Sequence, residues 1–151
     1  MSRNPYAPPS ATVADPPVPP IQRPRLIARA LQLLWISFVL GLIGTFVHET
    51  QSPALEWLIT LVFVALYGAV VVWLFFKIGR GRNWARIVYL VLAVISYLML
   101  SLDWRSYYYS YRQHPGWVWL DFAGIAAELA ALALLFSRPA NRWFRAAKPE
   151  S

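Results

Sequence analysis

The sequence predicts an all-α membrane protein: four transmembrane helices in an antiparallel bundle, preceded by a disordered Pro-rich N-terminal tail. Of its 151 residues, 58% are apolar and only 14% are charged, which is too apolar for the surface of a soluble domain. Four continuous apolar runs, at about 26–47, 55–76, 84–102 and 117–136, each come near the roughly 20 residues that a helix needs to cross about 30 Å of hydrocarbon. Twelve of the fourteen Lys and Arg residues fall on one side of those runs. That is the asymmetry which orients a multi-pass chain.

Residues 1–24 hold eight of the twelve prolines. Each proline removes a backbone donor and fixes φ, so this stretch reads as a disordered cytoplasmic tail with polyproline II character. Pro16-x-x-Pro19 fits a PxxP ligand formally, but the composition alone explains it. Pro-rich sequence separates Arg3 from the first apolar run, unlike a signal peptide, so that run is expected to stay in the protein.

Residues 25–138 form the expected four-helix transmembrane domain. A transmembrane barrel would show alternating segments of about ten residues, whereas these runs are apolar on all sides. Only a helix satisfies such a backbone in lipid. Turn chemistry separates the runs: Gln51, Ser52 and Pro53, then Gly79 and Gly81, then Pro115 and Gly116. Arg3, Arg23, Arg25 and Arg29 precede span one; Lys77, Arg80, Arg82 and Arg86 surround the middle loop; Arg138, Arg142, Arg145 and Lys148 follow span four. Only Arg105 and Arg112 lie on the other side, so both termini and the middle loop are expected in the cytoplasm. Trp84 and Trp143 mark the cytoplasmic border and Trp57, Trp104, Trp117 and Trp119 the outer one. Residues 139–151 set Trp143 and Phe144 among basic residues and read as an interfacial segment on the membrane surface.

Three segments carry a family resemblance: Asn4-Pro5-Tyr6-Ala7-Pro8-Pro9 in the tail, Lys77-Ile78-Gly79-Arg80-Gly81-Arg82-Asn83-Trp84-Ala85-Arg86 in the middle loop, and Leu135-Phe136-Ser137-Arg138-Pro139-Ala140-Asn141-Arg142-Trp143-Phe144-Arg145 after span four. With them the chain resembles small uncharacterised four-span inner membrane proteins of proteobacteria. The resemblance implies a fold and a cell-envelope location, and it brings no activity, cofactor or site with it.

Several function classes drop out. The sequence has no Cys, which removes disulfide frameworks, thiolate metal sites and cysteine nucleophiles. The charge of +7 is spent flanking apolar runs instead of lining one face of a domain, so no nucleic-acid partner is expected. His48, Glu49, Asp103 and His114 lack metal-ligand spacing. Gly79-Arg80-Gly81 lacks the third glycine of a dinucleotide loop and the Lys-Ser/Thr of a P-loop. No enzyme signature appears, and neither a cofactor nor a metal is expected.

The candidate site centres on Glu128. It lies eleven residues beyond Trp117, about 16 Å along a helix and hence near the bilayer midplane. A carboxyl there must be protonated, hydrogen-bonded or facing water. The same depth estimate brings Ser37, Tyr67, Ser96 and Tyr97 to the midplane, with Asp121 two turns above Glu128 on the same face. This set is either a proton or cation site or a packing cluster. Small residues at four-residue spacing, Ser37, Gly41 and Thr45 in span one and Ala123, Ala127 and Ala131 beside Gly124 in span four, are expected to let helices approach closely, within the bundle or in a homodimer.

Two further surfaces stand out. Trp104, Tyr107, Tyr108, Tyr109, Tyr111, Trp117 and Trp119 make the outer loop an aromatic surface, for a headgroup belt or a membrane-protein partner. Lys77, Arg80, Arg82, Arg86, Arg142 and Arg145 form a cationic rim suited to anionic lipids. The function expected first is a non-enzymatic accessory or interaction protein. The alternative is a small proton- or cation-coupled transporter or channel that uses Glu128, and whether water reaches Glu128 separates the two.

Overall fold

The computed structural model describes residues 23–48, 54–102, 104–113, 116 and 118–147. They form six helices: α1 (Arg25–His48), α2 (Ala54–Gly79), α3 (Asn83–Leu102), α4 (Trp104–Gln113), α5 (Val118–Leu135) and α6 (Arg138–Ala146). Four of these, α1, α2, α3 and α5, are long and apolar enough to cross a membrane. The Pro-rich tail, apart from Arg23 and Pro24, lies outside the described residues. So do the Gln51–Pro53 turn, Pro115 and Trp117.

Two helices lie beyond the four spans. α4 occupies the segment expected as an aromatic loop, where Trp104 to Gln113 is a ten-residue run free of Gly and Pro. α6 opens with Pro139 in its first turn, where a missing backbone donor is harmless. It buries Ala140 and Phe144, four residues apart and so on one face, while Arg138, Arg142 and Arg145 stay exposed.

The buried core is confined to one end. It comprises Ile27, Ala30, Leu31 and Leu34 of α1; Val71, Leu74, Phe75 and Ile78 of α2; Ala85, Tyr89 and Ala93 of α3; and Ala131, Leu132 and Leu135 of α5, closed by Ala140 and Phe144 of α6. In each span these positions belong to the half nearer the basic flank, with Ala93 of α3 at the middle. The other halves pack less closely and leave space between the spans.

The turn from α2 to α3 explains how the core end closes. The Arg82 amide donates to Lys77 O and the Gly81 amide to Ile78 O, the paired bonds of a Schellman motif. Gly81 has φ 78°, a left-handed conformation that glycine adopts without strain. A Cβ on Gly81 would stand 2.9 Å from Ala147 Cβ and 3.2 Å from the Trp143 ring. The glycine therefore also makes room for the end of α6.

α1 packs chiefly along α5, with Ser37 and Gly124 of the expected small residues at the contact and Gly44 joining them. A Cβ on Gly124 would meet Leu40 Cβ at 3.6 Å and Ser37 O at 3.8 Å, and one on Gly44 would meet Asp121 Oδ1 at 2.8 Å. Gly41 has nothing within 4 Å, and Ala123 is exposed. At about 100° per residue, Gly41 and Gly44 both fall on the inner side of α1 but at different angles, and only Gly44 faces α5.

Candidate functional site

A mostly apolar cavity of about 900 Å³, with a few polar side chains in its lining, lies among α1, α2, α3 and α5, with α4 at one side. Ser37, Tyr67, Ser96, Tyr97, Asp121 and Glu128 all line it. Its depth follows from the helices. Its lining runs from Val71, Tyr89 and Glu128, beside the closed core, out to Thr45, Leu100 and Leu120 toward the ends remote from the basic flank. The sequence allows this space because α1 contributes Ser37, Gly41, Gly44 and Thr45 to it, side chains too small to fill the gap between spans.

Glu128 is at the cavity's inner end, half-buried, with both carboxyl oxygens engaged. Tyr89 Oη donates to Oε1 at 2.6 Å, and Tyr97 Oη donates to Oε2 at 2.7 Å. The two tyrosines are eight residues apart on α3 and so share a face, gripping the carboxyl from both sides. In hydrocarbon this answers the problem of a buried polar group: each oxygen has a short partner, and the helices that carry them are tied together. Tyr67 reaches the same space from α2 with its ring stacked on Phe63, centroids 5.9 Å apart.

Asp121 lies two turns from Glu128, about 10 Å along α5. It abuts α1 at Gly44, and the Tyr111 hydroxyl of α4 donates to its Oδ2 over a long 3.4 Å. The cavity thus carries carboxyls at two depths, Glu128 beside two tyrosine hydroxyls and Asp121 near a third. Such a lining can hold a proton or a cation and pass it along hydrogen-bonding groups, with aromatic rings available to a cation's face.

Other candidates fall elsewhere. Arg86 is only 7% exposed and turns inward, away from the cationic rim. Its Nη1 donates to Leu135 O at 2.9 Å and its Nε to Asn83 Oδ1 at 2.7 Å. The guanidinium lies 4.4 Å from the Phe144 ring centroid and 5.0 Å from that of Phe136. It thereby neutralises one of the last carbonyls of α5, the negative end of that helix. Ser137 and Asn141 take the neighbouring carbonyls of Leu134 and Phe136. Arg80, Arg82, Arg142 and Arg145 are exposed, while Lys77 is half-buried with its Nζ 5.4 Å from the Trp73 ring.

The outer aromatic surface is divided. Trp104, Tyr108, Tyr109 and Trp119 are exposed, whereas Tyr111 turns into the cavity. Trp117 and the Tyr107 side chain lie outside the described residues, as do Glu49, Asp103, His114 and the His48 side chain. Tyr89 is the site residue that sequence reasoning passes over, and Arg86 is one that it places on the cationic rim instead of against α5. A signal exists for Tyr89, since it shares a helical face with Tyr97. Arg86 sits three residues inside the start of α3, deeper than an interfacial anchor needs to be.

No protein-family model, curated protein or solved structure matches the chain. The geometry of the cavity is therefore the basis for assigning a role.

Proposed function

We propose that the chain is a non-enzymatic multi-pass protein of a bacterial inner membrane and that its working part is the Glu128 cavity, which binds a proton or cation within the bilayer as a small transporter or channel. The observation that carries this reading is the cavity itself: it extends from the outer halves of the spans to a carboxyl at mid-depth. A carboxyl that served packing alone needs no such space. In this reading the four spans form an antiparallel bundle, the basic flanks keep both termini cytoplasmic, and the Pro-rich tail is a disordered tether. The cavity then opens toward the outer face, closed below by the core of Leu34, Leu74 and Leu135.

A second reading has its own observation. Both oxygens of Glu128 accept a tyrosine hydroxyl, the arrangement of a packing clamp, as an accessory or assembly protein would use. The variant Glu128→Gln separates the two, because the amide keeps the size and the ability to bond both tyrosines but cannot titrate. The transport reading expects a stable variant that fails to restore the phenotype of a strain lacking the protein. Full restoration by Glu128→Gln would overturn it in favour of the accessory role.

A further inference from the structure

A second cavity, of about 510 Å³, opens between α1 and α2 at the basic end of the chain. Arg23 and Arg80 stand at it, both exposed, with Gln32 nearby and a wall built from Leu31, Trp35 and Phe76. Polar and apolar parts are therefore separated along the helix axis: Arg23 precedes α1, and from Arg25 to Trp35 is about 15 Å of helix, the distance from the interface to about the bilayer midplane. Trp35 is held in place by an edge-on contact with Phe75, centroids 5.3 Å apart. Gly79 faces the groove: a Cβ there would sit in ordinary contact with Leu31 Cδ1 at 3.5 Å and Arg23 Nη1 at 3.9 Å.

Charge decides what this groove takes. None of the described acids, Glu56, Asp121 and Glu128, lines it. Arg86, by contrast, is consumed by α5 and its aromatic neighbours. Two guanidiniums held above an apolar wall match a phosphate carrying acyl chains, with a planar fork for the phosphate oxygens. We propose that this groove binds one anionic phospholipid, its phosphate between Arg23 and Arg80 and an acyl chain along Trp35 and Phe76. The site is independent of the Glu128 cavity and stands whatever that cavity carries.

Native mass spectrometry of the full chain, released from micelles that contain equal phosphatidylglycerol and phosphatidylcholine, tests it. The wild-type protein retains one phosphatidylglycerol in preference to phosphatidylcholine. Arg23→Ala and Arg80→Ala each lower that preference about fivefold, the worth of one interfacial arginine. Gly79→Leu, which fills the groove and removes no charge, lowers retention as well, and Arg142→Ala on exposed α6 leaves it unchanged. Equal retention of both lipids by the wild-type protein overturns the proposal. So does an Arg142→Ala effect as large as that of Arg23→Ala, which would mean diffuse attraction to the basic end. Displacement of the lipid by millimolar inorganic phosphate would also overturn it, since the groove would then be an anion site that makes no use of its apolar wall. Arg23 is exposed, so its variant carries the test even if Gly79→Leu fails to accumulate.

Discussion

The Tyr89 hydroxyl of α3 donates to Glu128 Oε1 of α5 at 2.6 Å, joining two spans at mid-depth. Tyr89 also packs edge-on against Phe75 of α2, ring centroids 5.4 Å apart, so the same side chain belongs to the closed core at one end and to the Glu128 cavity at the other. Its ring marks the floor of the cavity, and its hydroxyl fixes the carboxyl that faces into it.

Removing that hydroxyl has a defined consequence. Tyr89→Phe keeps the ring and loses one interhelical hydrogen bond, which lowers stability in detergent by about 0.5 to 1.5 kcal/mol. In a Glu128→Leu background the same change costs close to nothing, because the acceptor is already gone. A double-mutant cycle read by thermal unfolding checks this, and equal costs in both backgrounds would show that the bond contributes nothing.

Arg86 gives a sharper effect on stability. Arg86→Ala leaves Leu135 O without its charged donor and removes the cation from between Phe136 and Phe144, for a loss of about 2 to 3 kcal/mol. Arg86→Lys keeps the charge but cannot present a planar group to both rings, and it loses about 1 kcal/mol. Arg82→Ala, exposed in the adjoining turn, stays within about 0.5 kcal/mol of wild type. Thermal unfolding of the three variants in one detergent ranks them, and an Arg86→Ala protein as stable as Arg82→Ala would contradict the cap.

What is legible in the sequence depends on the coordinate concerned. Depth along a span can be read from residue counts, since each residue advances a helix by about 1.5 Å, and this is why the sequence alone groups Ser37, Tyr67, Ser96, Tyr97 and Glu128. Rotation about the helix axis cannot be read so easily when a span is apolar all round and has no polar face to fix it. Gly41 and Gly44 are equally small, yet Gly44 meets Asp121 and Gly41 faces open space. Arg86 looks like its exposed neighbours Arg80 and Arg82, and only the position of α5 decides that it turns inward. α4 escapes detection for another reason: its aromatic and polar residues have neither the length nor the apolarity of a span.

The orientation proposed from the basic flanks has a direct test. A reporter active only in the periplasm, fused after Ser151, stays inactive, while one active only in the cytoplasm works. Moving the fusion to follow Gln113 reverses both. Activity of the periplasmic reporter at the C-terminus would overturn the placement of the basic ends.

Proton or cation binding at Glu128 requires water to reach its cavity, and the lack of native cysteine makes this directly measurable. Gly41→Cys places a thiol where nothing lies within 4 Å of Cβ, and Ser96→Cys places one on the opposite wall. Leu98→Cys, exposed on α3 but not part of the cavity lining, is the lipid-facing control. A membrane-impermeant thiol reagent applied to the periplasmic side should label Gly41→Cys and Ser96→Cys rapidly and leave Leu98→Cys unlabelled, because a thiol needs water both to ionise and to meet the reagent. Labelling of the two cavity positions no faster than that of Leu98→Cys would contradict a transport role and leave Glu128 as a dry clamp between α3 and α5.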